Sequence, residues 1–261
     1  MMNAHQTTEA WRRVMTPESY RETVTSQTEL KRVTSFSRLW RRIFRHLPPV
    51  SLDTLAIFEA GCGGGKHLAP FAYAGARISG LDCSEAAILN ARQLFVDIER
   101  ISGKNLSATL ECGDFFVYNS KSNYDIVFHS GVIEHFLDAG ERIQFLRKMT
   151  SCVVSGGTVV SIVPNGCHPL RGRMKKEGLG GYLIPEIDYT PELMHAEFEE
   201  AGLENVTILA HNLFDYLTLD KPSVFARVAY IGLQLLSPNL FPLSFSSRHA
   251  GTLIALGTVR R

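Results

Sequence analysis

The feature that most constrains the fold is a short apolar run that ends in an acidic residue and a glycine-dense turn. Leu55 to Phe58 has the character of a strand, Glu59 follows, glycines occupy positions 61, 63, 64 and 65, and a helix-compatible run begins at Lys66. Glycine permits a sharp turn and the close approach of a ligand because it lacks a Cβ. The pattern predicts a strand–loop–helix unit at the carboxyl edge of a parallel sheet, where doubly wound folds bind ligands.

Three kinds of glycine loop are compatible with such a unit. A phosphate-binding loop needs G-x-x-x-x-G-K-[ST], but Ala60 stands at its first place and His67 follows Lys66. A dinucleotide loop needs a third small residue where Lys66 stands, although Gly61 and Gly63 fit it. The pattern that remains is E-x-G-x-G-x-G. The alternative to a ligand-binding loop is a glycine loop that serves only as a structural turn.

The rest of the chain alternates apolar strand-like runs with helical patterns. A helix is predicted from the N-cap Ser84 to Gly103, and another opens with Thr190-Pro191 and closes at Gly202. Strands after the first are predicted at 76–81, 106–111, 124–129, 158–163, 206–209 and 252–259. This order predicts an α/β fold with a doubly wound, mostly parallel sheet of seven strands.

Acidic residues end two further strands at the same edge of the predicted sheet. Asp82 ends the second strand, where a carboxylate can accept both hydroxyl protons of a ribose. Asp114 follows the third strand and Gly113, and because a carboxylate only accepts hydrogen bonds it suits an exocyclic amine. The structural alternatives are a turn aspartate before a helix and a loop aspartate after a glycine.

A third motif lies in 124–136, where a buried strand is followed by a small-residue break, an apolar pair and Glu134-His135. These motifs, in this order, resemble class I S-adenosylmethionine-dependent methyltransferases, in particular the small-molecule enzymes of ubiquinone and menaquinone biosynthesis. The resemblance covers about residues 55–165. It implies S-adenosylmethionine as cofactor and a last strand inserted antiparallel between strands five and six, for which 253–259 is available.

The resemblance also implies roles for individual residues. Glu59 would bind the amino-acid end of the cofactor, Asp82 the ribose and Asp114 the adenine amino group, with Phe115 packed on the ring. The full expected set of cofactor-binding residues is Glu59, Gly61, Cys62, Gly63, Asp82, Cys83, Asp114, Phe115, His129 and Ser130.

His135 is the expected catalytic base, with Glu134 beside it, because the motif puts both near the methyl-facing mouth of the site. A histidine changes charge near pH 7 and so can take a proton from a hydroxyl acceptor. The alternative is that Glu134 and His135 only hold the loop or cap the next helix. His129, at the strand end, also fits a packed, hydrogen-bonded histidine. No metal is expected, since no second acidic cluster is evident in the sequence.

Composition and charge bound the remaining possibilities. Five cysteines without C-x-x-C pairing favour a reducing, cytoplasmic setting. No apolar run is long enough to span a membrane. Residues 1–50 carry nine Lys/Arg against four Asp/Glu and 207–261 carry five against two, whereas 51–206 carry thirteen against twenty. Basic flanks motivate an RNA methyltransferase as the alternative, but the motifs of amino and base methylases are absent, so no nucleic-acid partner is expected.

Specificity for the methyl acceptor should come from segments added to the core. These are an N-terminal helical cap (1–50), the segment 165–189 and an apolar insertion at about 213–250, the last two within a methyltransferase domain at 51–261. In the cap, 30–47 is predicted as one amphipathic helix with arginines at its rim, and packing on the core is favoured over a membrane-surface helix. The glycines of 178–181 suggest a lid.

The predicted function is methyl transfer from S-adenosylmethionine to O, N, S or C of a small, partly apolar molecule. The acceptor pocket is expected between the Glu134-His135 loop, residues 166–189 and the insertion. The insertion could instead form a subunit contact, so a homodimer stays open. A catalytically silent cofactor-binding subunit of the same fold is the alternative from a different class.

Overall fold

The computed structural model describes residues 3–120, 123–177, 184–218, 223–233 and 240–260. One sheet of seven strands runs through it, in the order β3-β2-β1-β4-β5-β7-β6. The strands are β1 (Ala56–Ala60), β2 (Arg77–Asp82), β3 (Ala108–Cys112), β4 (Tyr124–Ser130), β5 (Val153–Pro164), β6 (Leu203–Leu213) and β7 (Ala250–Val259). Strands β1 to β5 pair in parallel, and β7 pairs antiparallel with both β5 and β6. The predicted doubly wound sheet and its inserted last strand are therefore confirmed.

Ten α-helices are found among the described residues, and those of the core cover both faces of the sheet. They are α1 (Ala4–Val14), α2 (Gln27–Thr34), α3 (Arg38–Ile43), α4 (Ala69–Tyr73), α5 (Glu85–Ser102), α6 (Ala139–Ser151), α7 (Arg171–Glu177), α8 (Pro191–Glu200), α9 (Val224–Leu233) and α10 (Leu243–His249). Within the described chain, no helix is both long and apolar enough to cross a bilayer.

Side chains alternate between the two faces of the sheet along the buried strands, and this produces two apolar layers. Ile57 of β1 packs with Trp40 and Phe71 on one face, in the layer built with α2 to α5. The next residue, Phe58, packs with Phe145 and Met194 on the other face, in the layer built with α6 and α8. Successive side chains of a strand point to opposite faces, so one short run of apolar residues anchors both layers. The carboxyl ends of the strands are thereby fixed relative to one another.

Local signals place the helix ends as predicted. Ser84 accepts a hydrogen bond from the Ala87 amide and begins α5, which ends at Gly103 with a φ of 71°. Thr190 accepts from the Leu193 amide and Pro191 occupies the first turn of α8. A side-chain oxygen at the N-cap satisfies an amide that the helix leaves unpaired, and only glycine adopts the left-handed end readily.

The prediction of one continuous helix at 30–47 is wrong. Helix α2 ends at Ser35, and Ser37 begins α3 by accepting a hydrogen bond from the Trp40 amide. A 3₁₀ turn at 44–46 then precedes the two prolines. Serine side chains compete for backbone amides, which is why they interrupt an otherwise amphipathic pattern. Arg42 is buried rather than at the rim, whereas Arg41 and Arg45 are exposed.

Candidate active site

A cavity of about 470 Å³ lies at the carboxyl ends of β1, β2 and β4 and beside the loop that follows β3. This volume falls within the range of about 300–1,000 Å³ that small-molecule sites occupy. Its inner wall consists of loop and strand-end residues: Glu59, Gly61, Cys62, Gly63, Gly64, Lys66, His67, Leu81, Asp82, Cys83, Gly113, Asp114, Phe115, Phe116, Ser130, Gly131, Val132, Phe136 and Phe145. Its outer wall comes from the N-terminal segment.

The glycine loop after β1 forms a close cradle at the base of the cavity. Gly61, Gly63 and Gly65 have φ values of 74°, 50° and 77°, which L side chains rarely adopt. A Cβ on Gly61 would lie 2.5 Å from Val132 Cγ2, and one on Gly64 would lie 2.0 Å from the carbonyl oxygen of Tyr20. The glycines are therefore required both by the turn and by the segments packed against it.

Asp82 joins the glycine loop to the end of β2. Its Oδ2 accepts a hydrogen bond from the Gly63 amide at 2.8 Å, and its Oδ1 accepts one from the Ser84 amide at 2.9 Å. Burial raises the pKa of Asp82, and these two amide bonds act against that rise. Each carboxylate oxygen has a second lone pair, so the group can still accept hydrogen bonds from a ligand in the cavity.

Glu59 is a buried acid on the cavity wall. It is 1% exposed, and its Oε2 has no hydrogen-bond partner among the described residues. Burial, reinforced by the nearby charge of Asp82, raises the pKa of Glu59 well above its ordinary value. A buried acid without a partner costs stability unless a ligand supplies a donor. The position therefore suits a ligand group that donates hydrogen bonds or carries positive charge.

Asp114 and Phe115 form the side of the cavity next to β3. Asp114 Oδ1 accepts a hydrogen bond from the Phe116 amide at 2.9 Å, which fixes the turn after the strand. Phe115 is buried, with ring centroids 4.9 Å from Phe145 and 5.9 Å from Phe58. A flat apolar wall next to an acceptor-only carboxylate is suited to a planar base that carries an amino group.

The N-terminal segment covers the cavity from outside. Its lining residues are Thr7, Thr8, Trp11, Met15, Glu18, Tyr20, Arg21 and Glu22. Asn90 of α5 holds the turn by donating to the carbonyl oxygens of Pro17 and Ser19, at 2.8 and 2.9 Å. Glu22 lies 3.2 Å from Lys66 Nζ and so ties the segment to the glycine loop.

The structure brings most of the predicted cofactor-binding residues together, but not all of them. Glu59, Gly61, Cys62, Gly63, Asp82, Cys83, Asp114, Phe115 and Ser130 line the cavity. His129 does not: it is fully buried, and its Nε2 lies 2.6 Å from Ser161 Oγ. Because the side chains of a strand alternate, Ser130 faces the cavity while His129 packs into the core.

Glu134 and His135 lie behind the cavity wall rather than on it. The Nδ1 atom of His135 donates to the carbonyl oxygen of Pro185 at 3.1 Å. Its ring lies edge-to-face with Trp11, with the centroids 5.0 Å apart, and it is Trp11 that lines the cavity. Glu134 is 1% exposed, and burial raises its pKa to about 8. The Ile187 amide donates to the Glu134 carbonyl oxygen, so both residues connect the loop to the chain at 185–187.

Glu134, His135 and Glu186 form a cluster whose potential ligand atoms lie within 4.8 Å of one another. A positive charge already faces this cluster, because Arg171 Nη2 lies 2.6 Å from Glu186 Oε1. Arg171 also pairs with Asp188, at 2.7 Å from Nε to Oδ1. The arrangement is that of an ion-pair network which joins α7 to the chain at 186–188.

His67 is a cavity residue for which the sequence analysis proposed no role. It follows the glycine loop, lines the cavity and packs edge-to-face toward Phe128 at 6.4 Å. Burial, with a smaller effect of Lys66, lowers its pKa to about 4, so the imidazole is neutral at pH 7. The sequence also did not indicate that the N-terminal residues line the cavity, although Asn3 and Gln6 form a capping box that begins their helix.

The acceptor pocket predicted between Glu134-His135, 166–189 and the insertion differs from the observed cavity. The N-terminal segment closes the open side of the strand ends, and the described residues of 166–189 and 213–250 do not line the cavity. The proposed lid glycines, Gly178, Gly180 and Gly181, lie outside the described residues.

Comparison with known proteins agrees with the fold. Residues 58–159 match the family described as a methyltransferase domain. Two ubiquinone biosynthesis O-methyltransferases are similar to this chain. The protein of Methylobacterium nodulans is 30% identical, and the match covers 42% of this chain and 41% of the relative. The protein of Bartonella tribocorum is 31% identical, and the match covers 52% of this chain and 62% of the relative. The chain thus spans less than two thirds of the length of the curated relatives it matches.

Solved structures share the architecture at low sequence identity. Phosphoethanolamine N-methyltransferase 2 of Haemonchus contortus, in complex with S-adenosyl-L-methionine, has a TM-score of 0.57 and 15% identity, over 85% of this chain and 52% of its own. Magnesium protoporphyrin IX methyltransferase of Synechocystis PCC 6803 has a TM-score of 0.52 and 16% identity, over 96% of this chain and 93% of its own.

Residues 58–159 match a methyltransferase domain, and this match, the strand order and these relatives support a class I S-adenosylmethionine-dependent methyltransferase. S-adenosylmethionine is the methyl donor of this class, and the donor set described above can be tested against its chemistry. The ammonium group, the ribose hydroxyls and the adenine amine are all hydrogen-bond donors. The cavity offers three carboxyl groups from three consecutive strand ends, Glu59, Asp82 and Asp114, and so its residues fit this cofactor.

Proposed function

We propose that the protein binds S-adenosylmethionine in this cavity and transfers its methyl group to O, N, S or C of a small, partly apolar molecule. The observation that carries the proposal is the convergence of Glu59, Asp82 and Asp114 around one cavity with a glycine cradle at its base. Each carboxyl group corresponds to one donor of the cofactor. The alternatives are an RNA methyltransferase and a catalytically silent cofactor-binding subunit.

The cofactor lies, in this proposal, along the edge of the sheet. Gly61, Cys62 and Gly63 approach its amino-acid end, and Glu59 accepts from its ammonium group, whose positive charge would lower the raised pKa of Glu59 and favour the carboxylate. Asp82 holds the ribose hydroxyls, with Cys83 beside it. Asp114 accepts from the adenine amine, and Phe115 packs against the ring. Ser130 lies at the methyl-facing side.

The bound cofactor supplies a sulfonium methyl group, which a nucleophile displaces in line. The protein's contribution is to hold the acceptor against that methyl group and to exclude water. Trp11, Met15 and Tyr20 cover the cavity and give its outer wall an apolar character. An acceptor with an apolar body therefore suits the space that remains beside the cofactor.

Two histidines are candidates for proton removal if the acceptor is a hydroxyl, as the names of the curated relatives favour. Trp11 separates His135 from the cavity and Pro185 binds its Nδ1, so we propose that His135, with Glu134, holds the loop. His67 lines the cavity and is neutral at pH 7, and we propose it as the proton acceptor for a hydroxyl substrate.

The proposal is tested by incubating the purified protein with S-adenosylmethionine labelled in its methyl group and with a fractionated metabolite extract. We expect label in a small-molecule fraction, and no transfer by Asp82→Ala at a cofactor concentration limiting for that variant. Label in an RNA fraction alone would replace this function with the RNA alternative. Cofactor binding without transfer to any fraction would indicate the silent subunit.

A further inference from the structure

Helix α9 carries its large apolar side chains on the side that faces solvent. Val224, Val228 and Ile231 are spaced i, i+4 and i+7, so they lie in one line along the helix. They are 79%, 62% and 62% exposed, and Phe225 beside them is 82% exposed. A surface helix ordinarily shows the reverse arrangement, with polar residues outward and apolar residues toward the core.

The inward side of α9 carries two alanines, a tyrosine and a leucine. Ala226, Ala229, Tyr230 and Leu233 are half-buried, and α9 packs against the 3₁₀ turn Asp215–Thr218. From that turn, Tyr216 hydrogen-bonds His249 of α10 at 3.2 Å. Leu243 and Phe245 of α10 are also exposed large apolar residues.

The apolar surface borders a strongly basic one. Residues 30–50 contain six Lys/Arg and no Asp/Glu. Burial and the charge of Asp215 raise the pKa of Tyr230 of α9, and the charge of Arg38 of α3, which lies nearby, opposes that rise. Arg41, at i+3 from Arg38 in α3, and Arg45 in the 3₁₀ turn that follows are both exposed. Arg227 lies on the outward side of α9 itself.

We propose that α9, the start of α10 and the exposed arginines Arg38, Arg41 and Arg45 form a surface that binds an anionic phospholipid bilayer without crossing it. Apolar side chains on a helix, flanked by arginines, partition into the headgroup boundary, and the arginines are attracted to anionic lipids. This inference concerns a face separate from the cavity and does not depend on the proposed methyl transfer.

Charge decides between a bilayer and other occupants of this face. A second copy would bring the same arginines opposite one another, since a two-fold contact places the same patch on both sides. An anionic bilayer offers a continuous apolar interior and a negative surface, and so complements both halves of the face. Binding is therefore expected to weaken with salt, because exposed charges are screened within about 10 Å at 0.1 M ionic strength.

The test is flotation of the full chain with vesicles of phosphatidylcholine, with or without a quarter of phosphatidylglycerol. We expect flotation with the anionic vesicles and little with the neutral ones. Val228→Asp/Ile231→Asp and Arg41→Glu/Arg45→Glu should each weaken it about tenfold or more. The matched controls are Leu89→Asp, an exposed leucine of α5, and Arg260→Glu at the far end of β7; both should float as the wild type does.

All variants change exposed positions, and circular dichroism checks that each is folded. The proposal is overturned if the wild type does not float with anionic vesicles, or if Val228→Asp/Ile231→Asp floats equally well. It is also overturned if light scattering shows a wild-type dimer that this variant converts to a monomer, because a second copy would then cover the face. Equal flotation with neutral vesicles would show that the arginines do not contribute to binding, and so would contradict a preference for an anionic bilayer.

Discussion

Three carboxyl groups, from Glu59, Asp82 and Asp114, define the chemistry of the cavity at the scale of single residues. Their positions follow from the sequence because each stands at or just after the end of a buried parallel strand, and such ends meet at one edge. What each oxygen already binds does not follow from the sequence. Asp82 accepts two amide bonds, whereas Glu59 Oε2 has no partner among the described residues.

Asp82→Ala should weaken S-adenosylmethionine binding by about 1–3 kcal/mol, the usual loss when a charge-assisted hydrogen bond is removed. The variant also removes the bond to the Gly63 amide, which holds the glycine loop. Asp82→Asn keeps one acceptor oxygen, so its affinity for S-adenosylmethionine should lie between those of the wild type and Asp82→Ala. Isothermal titration calorimetry measures all three affinities, and equal values for wild type and Asp82→Ala would show that Asp82 does not bind the cofactor.

Glu134 should make stability depend on pH. Its folded-state pKa of about 8 lies above its ordinary value of 4.5, so between these pH values the folded protein binds more protons at this site than the unfolded chain. The free energy of unfolding contributed by this group therefore falls as pH rises from 4.5 to 8, by up to about 1.4 kcal/mol per pH unit. Glu134→Gln stays neutral and should lose that contribution.

Urea unfolding of both proteins between pH 5 and 9 checks this expectation. The difference in unfolding free energy, variant minus wild type, should grow as pH rises. A difference that does not change with pH would mean that Glu134 titrates alike in the folded and unfolded states.

The two histidines should respond differently to substitution. If the acceptor is a hydroxyl, His67→Gln should lower kcat by about 10²-fold, the low end of what a positioned base contributes, because its pKa of about 4 makes His67 a weak base. His135→Gln keeps a polar group near the Pro185 carbonyl and should retain most of the activity. The comparison uses the acceptor found by labelling, with cofactor affinity as the control. The reverse order of effects would make His135 the base, as the motif alone had suggested.

At the scale of elements, the N-terminal segment is what the sequence could not place. Residues 1–29 are polar and show no clear helical period beyond α1, so nothing in the pattern predicts that they cover the strand ends. Their position depends on contacts distant in sequence, such as Asn90 with Pro17 and Ser19. The break between α2 and α3 has a local cause, because one serine caps the end of α2 and another caps the start of α3. The regular spacing of apolar residues over 30–47 hid this break in the sequence.

Gly64→Ala should displace the N-terminal segment from the glycine loop. The added Cβ would lie 2.0 Å from the Tyr20 carbonyl oxygen, so the segment must shift and the cavity open. We expect weaker cofactor binding and faster proteolysis within residues 15–22. Gly172→Ala is the control, because a Cβ there meets nothing within 4 Å and alanine favours α7. Identical affinity and cleavage in the two variants would contradict a closing role for the segment.

At the scale of the whole molecule, the sheet could be predicted almost completely and its surface could not. Strand–helix alternation and right-handed crossovers leave few arrangements for seven strands, and the observed order with β7 between β5 and β6 is one of them. The apolar stripe of a helix normally faces the core, but in α9 it faces solvent. The spacing of apolar residues in the sequence therefore could not have predicted this exposed surface. Functional surfaces are where such rules are expected to fail.

A crystal structure of the protein with S-adenosylhomocysteine, the demethylated product of the cofactor, is the most direct test of the proposed cofactor site. We expect one molecule in the cavity, with its ammonium group at Glu59, its ribose hydroxyls within hydrogen-bond distance of Asp82, and its adenine amine at Asp114 beside Phe115. A ligand bound elsewhere, or in the cavity with its ribose away from Asp82, would contradict it.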